Sequence, residues 1–313
     1  MVDFSLVEDP DDVKRPFKHW LRTVNNFREL QEIYEKLNQR KEKKKDDVEW
    51  VFRGHRCITW KLETTLDRAF RKLDPTDELD PRKRLMIEGG LLRRFARQSH
   101  HYLEHSPSHG NVMEWLSLMR HYGTPCRLLD WTYSFWAGVF FALEHAKKER
   151  SCSVWVANQK LLWSQLKRRH EVLSLYVDDE KRGSDPNVMK HETFRAVFMQ
   201  GQLFVCPINA YGLNERLIIQ QGTFLCPGDI SKSFEDNLAA LAPVIDPEPD
   251  FGDEVWELRI DATPEEKKRI LKHLHRMNMN QATLYPGLDG FARSLETLMI
   301  ISPEIFRPEP DWL

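Results

Sequence analysis

Residues 48–54 read VEWVFRG. Successive side chains of an extended segment leave on opposite faces, so Val48, Trp50 and Phe52 share one face of a strand while Val51 and Arg53 share the other. Arg53 therefore projects away from the aromatic face, and Gly54 allows the chain to turn or a ligand to approach the backbone. Upstream, Trp20, Leu21, Val24, Phe27, Leu30, Ile33, Tyr34 and Leu37 recur at three- and four-residue spacings. That pattern predicts an amphipathic helix across residues 16–46, closed by the charge run RKEKKKDD as a solvated turn.

Downstream, a basic helix is expected from Leu85 to about Tyr102, with Leu85, Leu92, Phe95 and Ala96 inward and Arg93, Arg94 and Arg97 outward. In NVMEWLSLMRHYG, Val112, Trp115, Leu116 and Met119 mark one face of a second helix, which Gly123 stops and Pro125 keeps from continuing. RLLDWTYSFWAGVFFALEHAKK holds a third helix capped by Thr132 or Ser134. A buried strand, SVWVA, follows at 153–157, and residues 180–200 read as loop-rich. LFVCP, RLIIQQGTFL and EVWELRI read as strands. Thr263, Pro264 and Glu266 open another helix, and Asp289 is placed to cap a final one. Irregular interleaving of helices and strands favours α+β, with small mixed or antiparallel sheets surrounded by helices. The expected division is a helical N-terminal extension, 1–46, and a main domain, 47–313.

A net charge of −2 provides no overall basic field for nucleic acid or an acidic membrane. Five scattered cysteines without a CxxC pair read as reduced thiols of a cytoplasmic protein, and no apolar run is long enough to span a membrane. His101 and His105 lack a third ligand at recognisable spacing, so no metal is expected.

The densest polar cluster is RHYGTPCRLLDWT, residues 120–132, which gathers His121, Tyr122, Arg127 and Asp130 between two helices. It reads either as a site or as a structural corner in which Arg127 pairs with Asp130. FRG at 52–54, RHYGTPCRLLDWT at 120–132, RLIIQQGTFL at 216–225 and TLYPGLDG at 283–290 together resemble the successive motifs of the FRG domain family. Where that family often carries glutamine, threonine and FPDLDG, this chain has His55, Cys126 and YPGLDG.

The aromatic-arginine-glycine strand end also resembles, more remotely, the arginine-type ADP-ribosyltransferase site. That resemblance implies an enzyme taking NAD as co-substrate, by ADP-ribosyl transfer or hydrolysis of the N-glycosidic bond, as an effector of a bacterial toxin or antiphage system. Arg53 with Gly54 would grip the pyrophosphate, Tyr122 or Trp131 would stack on nicotinamide, and His121 would bond ribose hydroxyls. Arg127 and Gln220 complete the expected binding set. Gln221 stands where such enzymes place a glutamate, so the acid falls to Asp130 or, second, Asp289. A macromolecular target, protein or nucleic acid, is left open. Two other readings stand beside it: a nucleic-acid binding or cleaving effector using its arginines and tryptophans, and a non-catalytic nucleotide sensor.

Overall fold

The structure, a computed structural model, describes residues 5–6, 15–17, 19–43, 48–108, 110–145, 151–169, 191–209, 215–241 and 255–306. Eight strands form one sheet: β1 (Ser5–Leu6), β2 (Trp20–Val24), β3 (Trp50–His55), β4 (Leu129–Thr132), β5 (Cys152–Asn158), β6 (Val205–Ile208), β7 (Gly222–Pro227) and β8 (Val255–Ile260). Their spatial order is β1-β2-β8-β5-β3-β4-β7-β6. β2 and β8 run parallel and the other neighbours antiparallel. The helices are α1 (Phe27–Lys43), α2 (Thr65–Leu73), α3 (Pro81–Ser99), α4 (Val112–His121), α5 (Phe135–Leu143) and α6 (Gln159–Arg169), followed by α7 (His191–Phe198), α8 (Glu215–Ile219), α9 (Phe234–Leu241), α10 (Pro264–Arg276), α11 (Gln281–Leu284) and α12 (Leu288–Ile301). None of the described helices is long and apolar enough to cross a membrane. The class is α+β, with the strands gathered into a single mixed sheet rather than several small ones.

The alternation in β3 sorts two cores. Val48, Trp50 and Phe52 pack with α1, α5 and α10 on one face, while Val51 packs with α4 and α9 on the other. β5 lies beside β3 and is buried along its whole length, as a strand covered on both faces must be. Gly54 is needed for packing: a Cβ there would lie 2.4 Å from Gly138 O and from Ala142 N of α5. The missing side chain lets helix and strand approach closely.

Several expectations change. The segment from Trp20 to Val24 is a strand, because its backbone pairs in parallel with Trp256–Ile260, and the helix begins only at Phe27. The N-terminal segment is thus woven into the common sheet. Ser134 caps α5 and accepts from Ala137 N–H, whereas Thr132 belongs to β4. The most buried residues of α3 are Arg84, Glu88 and Ser99, with Leu92 and Phe95 only partly covered. RLIIQQGTFL divides into the short helix α8 and the strand β7, turning at Gln221 with φ +48°. Gly287, at φ +104°, precedes α12 without a side-chain cap, and Asp289 sits in the helix's first turn. Of the stretch expected as loop, 180–190 lies outside the described residues and His191–Phe198 is helical. Thr263 caps α10 as expected.

Candidate functional site

The sheet parts where VFRG meets LLDW. β3 and β4 are bridged by one pair, Phe52 with Thr132; the same antiparallel register would set Arg53 opposite Trp131 and then Gly54 opposite Asp130, but the strands have separated. Arg53 spans the gap, donating from Nη1 to the Asp130 carbonyl oxygen at 2.7 Å. Below this opening lies a cleft of ≈ 870 Å³, walled by α4 from one core layer and the end of α5 from the other, with Arg216, Gln220 and Tyr285 closing it.

Arg53 Nε donates to His55 Nε2 at 3.2 Å, which requires a neutral imidazole with Nε2 as acceptor. Burial, aided by Arg53 and Arg15, pushes the His55 pKa well below its ordinary value. Burial also lowers the Arg53 guanidinium to about 10, against the opposing pull of Asp130. Asp130 accepts from Arg120 Nε at 2.8 Å and from Arg120 Nη2, and its Oδ2 lies 4.0 Å from Arg53 Nη1. Burial raises the Asp130 carboxyl, but Arg120, Arg53 and Arg216 outweigh it and hold the group below the usual carboxylate range. Asp130 is thus an ionised anchor between two arginines.

Of the expected site residues, Arg53, Gly54, His121, Asp130, Trp131 and Gln220 line this cleft. His121 sits at the end of α4, its pKa lowered by burial and by Arg216. Trp131 is 3% exposed, and its indole N–H has no acceptor among the described residues. Gln220 is a brace: its side-chain amide donates to Leu284 O at 2.8 Å, and its backbone carbonyl accepts from Thr132 Oγ1 at 2.6 Å.

The others are elsewhere. Arg127 is fully buried and donates from Nε to Glu88 Oε1 at 2.6 Å, with a second bond from Nη2. Its partner is Glu88, not Asp130, and its role is to tie α3 to the sheet. Gln221 is exposed at the turn into β7, where its carbonyl accepts from Tyr133 N–H at 2.9 Å. Asp289 and Tyr122 are exposed and outside the cleft lining.

The rest of the wall was only partly legible: the nucleic-acid reading drew on Arg56, Arg68 and Arg120, while Lys61, Arg71, Arg216 and Tyr285 were passed over. Arg56, Lys61, Arg68, Arg71, Arg120 and Arg216 join Arg53 there, against three carboxylates, Glu63, Asp130 and Glu144. Arg71 pairs with Glu63 and Arg120 with Asp130, which leaves the cleft with a cationic excess in a chain of net charge −2. Trp60 is 49% exposed at this wall. The Arg216 guanidinium lies 4.6 Å over the Tyr285 ring, and Tyr285 OH donates to Glu144 Oε2 at 3.1 Å. Burial, and then Glu144, push the Tyr285 phenol upward. Arg216 and Tyr285 stand inside the quoted blocks RLIIQQG and TLYPG, so chemistry-bearing side chains in those blocks were the available signal.

Residues 48–151 match the model of the FRG domain. No curated protein and no solved structure matches the chain significantly. The matched segment runs from the start of β3 past α5 and includes Arg53, Arg120, His121, Asp130 and Glu144; Arg216, Gln220 and Tyr285 come from beyond it. This chain therefore carries an FRG domain over residues 48–151, with the cleft built at the FRG strand itself.

Proposed function

We propose that the cleft binds a dinucleotide of the NAD type and breaks its N-glycosidic bond, by hydrolysis or by transfer of ADP-ribose to a target. The observation that carries this reading is the cationic excess at the split between β3 and β4: Arg56, Lys61, Arg68 and Arg216 make no ion pair with a described residue, and all face the same space as Arg53. Low-dielectric walls focus such a field, and guanidinium forks suit phosphate oxygens. Trp60 and Tyr285 offer ring surfaces beside the basic groups, so the residues present fit a ligand with both phosphates and rings. Arg53 would hold phosphate with the arm that does not bond Asp130, while Asp130 fixes the orientation of Arg53 and Arg120. His121, neutral by burial, supplies a hydrogen-bonding group for a hydroxyl. A toxin or antiphage role, acting by consumption of a nucleotide, belongs to the same proposal. So does a cytoplasmic setting, supported by five cysteines that form no disulfide with one another.

The test is incubation with NAD, following nicotinamide release and binding heat in parallel. Release by the wild type and its loss in a folded Arg53→Ala variant are expected. Binding without release would instead support a sensor, and absence of both would refute the reading. A single-stranded nucleic acid is the second candidate, favoured by half-exposed Trp60 beside Arg56 and Arg68. It is weakened because the basic set is divided: Arg127 is sealed in the core, and Arg93 and Arg97 line a separate groove with Trp115 and Met199. Oligonucleotide binding with a steep salt dependence, in place of NAD binding, would favour it.

A further inference from the structure

Three carboxylates line the cleft, and their partners separate them. Glu63 is paired with Arg71, and Asp130 is held between Arg120 and Arg53. Glu144 differs: its side chain is 4% exposed, and its neighbours are the Tyr285 hydroxyl at 3.1 Å and His145 Nε2 at 3.6 Å. No arginine or lysine among the described residues forms an ion pair with it.

The place is costly for a carboxylate. Glu144 is the C-cap of α5, where the helix presents its negative end and unsatisfied carbonyls. The helix before it is almost wholly apolar and buried. Burial penalises the charge as well, and a tyrosine hydroxyl offsets only part of that. A buried carboxylate with no arginine or lysine partner, aimed by a tyrosine in the wall of a cationic cleft, has the character of a working group. Its aim is fixed by Tyr285, which is itself covered by Arg216 on one ring face and meets Phe141 edge-on.

We propose that Glu144, and not Asp130, is the carboxylate that stabilises positive charge building on the ribose as the glycosidic bond breaks. This rests on the NAD reading above. In that reaction the bond between ribose C1′ and the nicotinamide nitrogen breaks, and its electron pair leaves with nicotinamide. The oxygen of water, or of a target hydroxyl, forms the new bond to C1′ and loses one proton to solvent. Asp130, neutralised by two guanidinium groups, has little field left to offer at C1′, while Glu144 keeps its own. Tyr285 is a positioning residue that orients the Glu144 carboxylate.

The experiment compares the wild type with Glu144→Gln, measuring NAD affinity by calorimetry, nicotinamide release and thermal unfolding. Turnover is expected to fall about 100-fold or more, the usual loss when one aimed electrostatic group is removed. NAD affinity is expected to stay within about threefold and the melting temperature to hold or rise, since a buried charge at a helix C-terminus is removed. Glu144→Asp, which retracts the charge by one methylene, is expected to lose most turnover while remaining folded. Turnover by Glu144→Gln within about threefold of the wild type would overturn the inference. So would its unfolding, which would make the carboxylate structural. A wild type that binds NAD without releasing nicotinamide would refute the functional reading itself, whereas an active wild type with an active Glu144→Gln would refute only the role given to Glu144.

Discussion

Two arginine–carboxylate pairs issue from the stretch RHYGTPCRLLDWT, and they serve different ends. Arg127 and Glu88 are 0% and 5% exposed, enclosed by Phe194, Phe198 and the carbonyl of Phe198, with both carboxylate oxygens taken. Arg120 and Asp130 are 23% and 40% exposed on the wall of the cleft, and Asp130 also faces Arg53. Both join a guanidinium to a carboxylate; what decides their use is whether water, or a ligand, can reach the pair. The sealed pair orders the fold, and the open one is available for binding.

Breaking the sealed pair should do the greatest damage. Arg127→Met leaves Glu88 charged and buried, and a loss of about 3–5 kcal/mol in urea unfolding is expected. Arg120→Met should cost about 1 kcal/mol or less, because its group is solvent-screened, yet should weaken binding of NAD. Equal destabilisation by the two variants would break the comparison. Arg53 stands between these extremes, since it straps β3 to β4 and also faces the cleft. Arg53→Ala should cost about 2 kcal/mol, the order of a charged hydrogen bond, alongside its loss of ligand. Asp130→Asn keeps the shape but frees Arg120 and Arg53 to move, so it should weaken NAD binding with a small change in melting temperature.

Acid sharpens the contrast. The folded protein holds His55 neutral, with its pKa well below the ordinary value of 6.5. As pH falls below about 6.5 the unfolded chain takes up a proton that the folded protein refuses, so this part of the stability is lost toward low pH. Asp130 has a depressed pKa, so its contribution is present above the ordinary carboxylate range and is lost only as pH falls through the lower folded value. His55→Gln should therefore flatten the melting temperature between about pH 5 and 7 while keeping an acceptor for Arg53 Nε. An unchanged slope in that variant would place the acid sensitivity elsewhere.

The contrast also explains how much was legible in the sequence. The two faces of VEWVFRG and the apolar face of α4 were readable because local periodicity and burial agree there. Trp20–Val24 was misread as helix because its spacings fit both periods, and only pairing with the distant strand β8 settles them. Arg53 and Asp130 were found as a pair of motif residues, yet their meeting depends on a parting of β3 and β4 that no local pattern encodes. Arg127 was misassigned because its partner, Glu88, lies on α3, 39 residues upstream and outside the motif. Glu144 was missed because it follows an apolar helix as an unremarked acid; its opposition to the helix dipole was the signal that could have marked it.

The central claim is that the opening beside Arg53 holds a phosphate-bearing dinucleotide. Its most direct test is calorimetric titration of NAD into the wild type and Arg53→Lys, a substitution that keeps the charge but removes the planar fork. The account predicts single-site binding that weakens as salt is added, and affinity lower by about tenfold or more in Arg53→Lys while the protein stays folded. Absence of NAD binding by the folded wild type, or undiminished binding by Arg53→Lys, would contradict it.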